Sequence, residues 1–277
     1  MTSEAPIGVF DSGVGGLTVV AELRRRLPAE DIVYLGDTAR LPYGSKSPEV
    51  VARYTQRNVE VLAERGVKAV IVACNSASAM GLETLDAKVP VWGVIEPGAE
   101  AAVRTGARCV GVLATESTVR SGAYSRAIAR RDPQIEVVLQ PCPLLVPLVE
   151  EGWTDDPVTL EIVRRYLKPV LRPPSEGPEK PAGVPEALVL GCTHYPLLSA
   201  AIARAAAELG AVPQLVDSAS SVTDTVELGL RDLGLARAEE RSGDLRLLVT
   251  DPGPRIRRIA EEILGTAPEL EWVDLQL

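Results

Sequence analysis

Short apolar runs recur along this 277-residue chain, and longer amphipathic stretches separate them. In the first hundred residues, four of these runs are typical of buried strands: residues 7–10, 31–36, 68–73 and 90–95. The stretch 47–66 predicts a helix, because Ser47 can cap it, Pro48 suits its first position and Gly66 can end it. Strands that alternate with helices in this way indicate a parallel, doubly wound sheet.

The rest of the chain repeats this plan. It predicts strands at residues 109–114, 135–140, 187–191, 213–218, 245–250 and 270–275. A further helix is expected to open at Thr154 or Asp155 and to run to residue 171. Five of the fifteen residues in 172–186 are proline, which fits neither a helix nor a central strand, so this stretch predicts an exposed loop.

Two segments of the first half are echoed in the second. Residues 7–12 resemble 110–115, and 70–77 resemble 188–195. Asp11 and Cys74 are 63 positions apart, whereas Ala114 and Cys192 are 78 apart, and the difference equals the 15 residues of the proline-rich stretch. An internal duplication would explain these spacings, and chance similarity between βα units is the alternative.

The duplication predicts an α/β protein of two pseudo-symmetric lobes, each a mostly parallel sheet flanked by helices. We expect the active site in the cleft between the lobes. The first lobe would comprise residues 1–97 plus 213–277, and the second would comprise residues 98–212 with the loop 172–186.

Composition excludes several classes of protein. The net charge of −9 argues against a nucleic-acid binder, which usually carries a basic face. The chain has no apolar run of 18 residues for a membrane span and no signal peptide at its N-terminus, so we expect a cytoplasmic protein. In that compartment its four cysteines are expected to be thiols: Cys74, Cys109, Cys142 and Cys192.

Two of these cysteines occupy matched places, each at the end of an apolar run and before a predicted helix. Ligands of doubly wound sheets bind outside the carboxyl ends of the strands. A helix N-terminus there would lower the pKa of a thiol and favour its reactive thiolate. We therefore predict that Cys74 and Cys192 are functional, whereas Cys109 and Cys142 are expected to be small buried side chains.

His194 is the only histidine of the chain and lies two positions after Cys192. As an imidazolium it could stabilise a thiolate, and as a neutral imidazole it could accept the thiol proton. A capping or packing role is the alternative. A zinc site is disfavoured, because the cysteine and histidine spacings form no recognisable ligand set.

A glycine-rich turn follows the first predicted strand. Its glycines do not match the dinucleotide-binding pattern, but Asp11 could anchor an ammonium group or act as an acid or base, and Ser12 offers a hydroxyl. The polar stretch 36–47 predicts a loop that lines a site. Lys46 is the only lysine near a motif that could carry pyridoxal, so no cofactor is expected.

Two thiols in matched strand-to-helix junctions are compatible with opposed bases. One thiolate would remove a proton from a carbon of the substrate, and the other thiol would return a proton to the opposite face. The pair could alternatively be a redox dithiol, or one cysteine could be an acyl-transfer nucleophile with His194 as its base.

The motifs GVFDSGVGGLTV, YLGDTARLPYGSKS, VACNSAS, GVIEPGA and LVLGCTHYPLL occur in this order between residue 8 and residue 198. Together they closely resemble the glutamate racemase family. The resemblance implies an isomerase that interconverts L- and D-glutamate without a cofactor and supplies D-glutamate for peptidoglycan. It also favours a homodimer. An enzyme of the same fold that acts on aspartate or another acid is the alternative.

The resemblance also assigns roles to residues. Cys74 and Cys192 would be the two bases, the first for D-glutamate and the second for L-glutamate, with Asp11 assisting Cys74 and His194 assisting Cys192. A glutamate of the LVEEG segment, Glu150 or Glu151, would act in the second half. The residues expected to contact the substrate are Asp11, Ser12, Pro42, Tyr43, Gly44, Asn75, Ser76, Thr193 and His194. Ser76 replaces the threonine usual in the family and keeps the hydroxyl.

Overall fold

The structure is a computed structural model that describes residues 2–171, 183–238 and 241–276. The chain forms two compact units: unit 1 comprises Met1–Val94 and Ala219–Leu277, and unit 2 comprises Ile95–Ser218. The lobe boundaries expected from the sequence, after residue 97 and before residue 213, stay a prediction.

In the described residues each strand is followed by one or two helices before the next strand, up to β10. The strands are β1 (Ile7–Asp11), β2 (Ile32–Gly36), β3 (Ala69–Val72), β4 (Val91–Gly93), β5 (Cys109–Ala114), β6 (Glu136–Pro141), β7 (Ala187–Gly191), β8 (Gln214–Asp217), β9 (Leu245–Val249) and β10 (Leu270–Trp272). The α-helices are α1 (Leu17–Arg26), α2 (Pro48–Glu64), α3 (Asn75–Met80), α4 (Ile95–Arg104), α5 (Glu116–Ser121), α6 (Ala123–Arg131), α7 (Leu145–Glu150), α8 (Pro157–Leu171), α9 (Ser199–Glu208), α10 (Ser218–Asp232) and α11 (Pro254–Leu264).

Unit 1 is built on a parallel sheet in the order β10-β9-β2-β1-β3-β4. Every residue of β1, β2 and β3 is buried, because helices and their apolar side chains cover both faces. Full burial on both faces explains why these strands are continuous apolar runs rather than alternating ones. Since β1 lies between β2 and β3, the residues that follow these three strands meet at one edge of the sheet.

Unit 2 is built on a smaller parallel sheet in the order β6-β5-β7-β8. This order repeats that of β2-β1-β3-β4 in unit 1, and β7 corresponds to β3. The predicted fold class, with two mostly parallel sheets flanked by helices, is therefore confirmed. The equal strand orders are the arrangement that an internal duplication predicts.

Local capping signals account for the helix bounds. Ser47 caps α2 through a bond from the amide of Val50 to its hydroxyl, 3.5 Å long, and Gly66 follows the helix with a φ of 76°. The expected start of α8 at Thr154 or Asp155 is wrong, since the helix begins at Pro157. The carboxylate of Asp156 accepts the amide of Val158 at 2.7 Å, and proline is favoured in the first turn of a helix.

The proline-rich stretch 172–186 lies outside the described residues except for its last four positions. Of these, Gly183 donates its amide to the carboxylate of Glu136 at 2.9 Å. The thiol of Cys109 donates to the carbonyl of Gly183 at the same distance. None of the helices in the described parts of the chain combines the length and the apolar character that crossing a membrane requires.

Candidate active site

Cys74 is the N-cap of α3, two residues after β3 ends. Its side chain is 6% exposed, and its thiol donates to the hydroxyl of Ser12 at 3.4 Å. Because Cys74 precedes the first turn of a helix, the positive end of the helix dipole favours negative charge on its sulfur. The next two residues, Asn75 and Ser76, are both buried. The helix predicted after Cys74 is present.

Asp11 ends β1 and is fully buried. One of its carboxylate oxygens accepts the amide of Gly13 at 2.9 Å, so the glycine-rich turn folds back onto this carboxylate. A Cβ on Gly16 would lie 2.6 Å from the Cβ of Asp11, which explains why this position needs glycine. The turn therefore holds Asp11 at the same sheet edge as Cys74 and Ser12.

Tyr34 lies behind this edge, and its hydroxyl donates to the carbonyl of Gly13 at 2.8 Å. Burial raises the pKa of Tyr34 well above its usual range, and the charges of Asp11 and Cys74 raise it further. The phenol therefore stays protonated and remains a donor. A Cβ on Gly36 would lie 2.3 Å from the same carbonyl, so β2 must also end in glycine for the turn to close.

The polar stretch 36–47 places Tyr43 in the core of unit 1, whereas Pro42 is exposed and Gly44 is partly buried. Tyr43 begins a 3-10 helix and belongs to the same apolar cluster as Cys74. Its hydroxyl donates to the carboxylate of Asp37 at 2.5 Å. Asp37 is a buried residue that our sequence reasoning missed, although its position directly after β2 is a signal that could have found it.

Cys192 follows β7 directly and is 6% exposed. The helix expected after Cys192 and its two polar neighbours is present, but it opens with a 3-10 segment. A 3-10 helix spans Tyr195–Leu198, and α9 begins only at Ser199. Pro196 falls in the first positions of the 3-10 helix and cannot donate an amide there. The helix-dipole argument for a reactive thiolate therefore supports Cys74 but not Cys192.

Cys192 has an imidazole neighbour instead. The Sγ atom of Cys192 lies 3.9 Å from Nδ1 of His194, and Nε2 of His194 lies 3.5 Å from a carboxylate oxygen of Glu150. The side chains of His194 and Glu150 are only 7% and 12% exposed. The thiol, the imidazole and the carboxylate thus form a relay. The carboxylate of Glu150 orients the imidazole of His194, which can accept the thiol proton of Cys192. Glu151, by contrast, is exposed.

The remaining cysteines lie in packed surroundings. Cys142 is fully buried, and its carbonyl accepts the hydroxyl of Tyr195 at 2.9 Å. Burial raises the pKa of the Cys142 thiol, and the charge of Cys192 raises it further. Burial also raises the pKa of Cys109, to about 11, with a further effect of Glu136 and Glu186. Both thiols are therefore protonated at neutral pH, as small packing side chains should be.

Each unit thus brings part of the predicted site together. In unit 1, Asp11, Ser12, Asn75 and Ser76 lie around the end of β3 with Cys74, and Tyr43 lies in the apolar cluster that contains Cys74. In unit 2, Thr193 is buried between Cys192 and His194. Glu150, which the sequence left undecided against Glu151, completes the second group. A buried thiol among buried polar side chains, once in each unit, defines a candidate thiol-dependent enzyme.

Comparisons with known proteins agree with this class. The family model described as Asp/Glu/Hydantoin racemase matches residues 7–227. The chain is 47% identical to the glutamate racemase of Geobacter metallireducens over 94% of this chain and 92% of that protein. It is 46% identical to the glutamate racemase of Thermus thermophilus over 99% and 98%.

A solved structure shows the same likeness. The crystal structure of glutamate racemase from Francisella tularensis in complex with D-glutamate superposes with a TM-score of 0.88 at 35% identity, covering 99% of this chain and 98% of that chain. The chain therefore belongs to the Asp/Glu/hydantoin racemase family and is a racemase. Within the family, the three relatives named here are all glutamate racemases.

Proposed function

We propose that this enzyme interconverts L- and D-glutamate by two-base proton transfer and supplies D-glutamate for peptidoglycan. The observation that carries the proposal is the repeated junction: β3 and β7 occupy the same place in equal strand orders, and each is followed by a buried thiol. Close relatives that are named glutamate racemases support the substrate.

Cys74 acts as the base for one enantiomer, D-glutamate by resemblance to the family. Its thiolate removes the α-proton, and its pair of electrons forms the new S–H bond while the C–H bond breaks. Asp11 assists Cys74, and its own orientation is fixed by the amide of Gly13. The helix α3 stabilises negative charge on the sulfur before the proton is transferred.

Cys192 acts on the other enantiomer with His194 as its proton acceptor. Neutral His194 takes the thiol proton at Nδ1, and Glu150 at Nε2 stabilises the imidazolium that forms. When Cys74 has removed the proton from D-glutamate, Cys192 returns a proton to the opposite face of the α-carbon. In the direction from D- to L-glutamate the Cys74 thiolate gains one proton and the Cys192 thiol loses one, so charge and protons balance in each turnover.

The α-proton of an amino acid is only weakly acidic, so the carbanion needs stabilisation as it forms. Asn75, Ser76 and Thr193 are 3%, 3% and 4% exposed, and they would offer donors to the substrate in surroundings poor in water. Donors that are already oriented stabilise developing charge far better in such a site than in bulk water. Pro42, Tyr43 and Gly44 would bind the rest of the substrate.

The decisive experiment follows racemisation by circular dichroism and α-carbon deuteration by NMR in deuterated water. We expect Cys74→Ala and Cys192→Ala each to abolish racemisation, whereas the matched variant Cys109→Ala keeps it. The product of the unchanged enzyme should carry solvent deuterium at its α-carbon. Substantial racemisation by either of the first two variants would contradict the two-base assignment.

Aspartate is the second candidate substrate, because aspartate and glutamate carry the same functional groups and differ by only one methylene. One methylene is worth about 10- to 200-fold in kcat/KM when a pocket discriminates against it. We expect kcat/KM for L-glutamate to exceed that for L-aspartate by at least tenfold, and a ratio in the other direction would replace the substrate while leaving the two-base chemistry in place.

We further propose a cytoplasmic homodimer. Leu144 and Val158 of unit 2 are each about half exposed and line one largely apolar groove, and exposed apolar surface of this kind is often covered by another chain. Sedimentation velocity should give the mass of a dimer, and Leu144→Glu should shift it towards the monomer. A monomer at micromolar concentration in the unchanged protein would contradict this proposal, and cell fractionation tests the compartment.

A further inference from the structure

We propose that Asp37 is a positioning residue for the substrate-binding turn 42–44, and that it links this turn to the C-terminal segment 273–276 through Arg40. The inference rests on the proposed function, because that function places the turn against the substrate. The supporting observation is that three side chains donate hydrogen bonds to the buried carboxylate of Asp37.

Asp37 directly follows β2, next to the end of β1. Its amide donates to the carbonyl of Asp11 at 3.0 Å, so Asp37 sits beside the end of β1 at the same sheet edge as the candidate site. The residue is fully buried. Burial of a carboxylate costs free energy unless hydrogen bonds and a positive charge compensate it. The groups that bind Asp37 therefore indicate which parts of the chain it holds in place.

Those partners come from two parts of the chain, the loop after β2 and the end of β9. One oxygen of Asp37 accepts the hydroxyl of Tyr43 at 2.5 Å. The other accepts the guanidinium of Arg40 at 2.7 Å and the hydroxyl of Thr250, just after β9, at 3.1 Å. The carboxylate thus fixes the loop after β2 against the end of β9.

Apart from Asp37, the described contacts offer no acceptor for the hydroxyl of Tyr43. The side-chain amide of Asn58 donates to its hydroxyl at 3.3 Å, and its ring packs 6.1 Å from that of Phe10 and 5.6 Å from that of Tyr54. Burial raises the pKa of Tyr43 above its usual range, and the nearby Asp37 raises it further. The hydroxyl therefore remains a donor, and Asp37 decides where it points.

Arg40 extends the same network to the end of the chain. Its second guanidinium nitrogen donates to the carbonyl of Leu275 at 2.9 Å. Leu275 is 2% exposed and belongs to the apolar cluster that contains Tyr43 and Cys74. Arg40 and Asp37 therefore connect the segment 273–276 to Tyr43 by a chain of hydrogen bonds.

The test compares Asp37→Asn with Tyr43→Phe in racemisation kinetics. Asparagine has one acceptor where aspartate has two, so it cannot hold Tyr43 and Arg40 together. Because the turn binds substrate and transition state alike, we expect KM to rise about tenfold in each variant, ~1.4 kcal/mol, with kcat within about twofold. The double variant should be no worse than either single one, since both changes break the same hydrogen bond.

The matched control is Glu30→Gln. Glu30 is a buried carboxylate of unit 1 that pairs with Lys68 just before β3 begins, at the opposite sheet edge. We expect it to lower the urea midpoint without changing KM, so a merely structural loss is told apart from a positioning loss. Tyr43→Phe keeps the ring in the core and remains informative if Asp37→Asn folds poorly.

Two results would overturn the inference: an unchanged KM in Asp37→Asn and Tyr43→Phe, or an equal rise of KM in Glu30→Gln. Both presuppose that the unchanged enzyme racemises glutamate. Absence of that activity contradicts the proposed function itself and is measured first, so the two failures are distinguishable.

Discussion

His194 lies between a thiol and a carboxylate that come from different elements. Cys192 follows β7, whereas Glu150 is the last residue of α7, so only the folded chain brings the relay together. The sequence predicts the pair Cys192 and His194 because they are two positions apart. It cannot choose between Glu150 and Glu151, since which of two adjacent residues points inward depends on how the helix packs.

The relay predicts different effects for these two glutamates. Glu150→Gln removes the charge that stabilises the imidazolium of His194, and we expect kcat for L-glutamate to fall by roughly 10- to 100-fold. Glu151→Gln, an exposed neighbour, should stay within about twofold of the unchanged enzyme. Steady-state kinetics by circular dichroism measures both, and equal losses in the two variants would argue against the relay.

Cys109 predicts a pH dependence of stability. Its pKa is raised from 9.0 to about 11, so the folded state holds the proton more tightly than the unfolded state does. The resulting stabilisation is fully present below pH 9 and is lost as pH rises towards 11. Urea unfolding between pH 8 and pH 10.5 should show a shallower loss of stability in Cys109→Ala than in the unchanged protein. Parallel curves would mean that Cys109 contributes nothing to this slope.

At the scale of elements, strands and most helix starts follow from local sequence, because burial on both faces and capping residues are local signals. Two details of the helix starts have local causes as well. Asp156 and Pro157 together set the start of α8 in place of Thr154. Pro196 lies in the first positions of the helix after Cys192, which begins as a 3-10 helix. The position of Asp37 directly after β2 is a local signal, but its hydrogen bond from Thr250, 213 positions away, cannot be read from the sequence around it.

The turn between β1 and α1 predicts unequal effects for two of its glycines. A Cβ on Gly16 would meet the Cβ of Asp11 at 2.6 Å, whereas a Cβ on Gly13 would meet nothing closer than 3.7 Å. We expect Gly16→Ala to lower the free energy of unfolding by about 1–3 kcal/mol and to reduce racemisation by displacing Asp11. Gly13→Ala should change stability little, and a comparable loss in both would contradict the close contact.

At the scale of the whole molecule, the fold class and the repeated strand order could be predicted from the sequence, since two segments of the first half resemble two of the second at consistent spacing. The sequence also assigns residues 213–277 to the first lobe, but it does not predict that β9 pairs with β2, because this pairing joins residues about two hundred positions apart. Tertiary packing determines which distant strands pair, and a short stretch of sequence does not contain that information.

The buried ion pair of unit 1 predicts a global loss of stability. Lys68 is fully buried, 2.5 Å from Glu30, and also donates to the carbonyl of Ser3 at 2.6 Å. Lys68→Met leaves the carboxylate of Glu30 buried without its cation and should cost about 3–5 kcal/mol in urea unfolding. Lys88→Met at an exposed position is the matched control, and equal midpoints for the two would remove the role assigned to the pair.

The discontinuity of unit 1 affects how the chain folds as it leaves the ribosome. All of Ile95–Ser218 is synthesised before β9, which flanks β2 in the other sheet. Unit 2 therefore has every strand it needs while β2 still presents an open edge to its surroundings. Unit 2 can therefore fold first, and strands synthesised after it complete the sheet of unit 1.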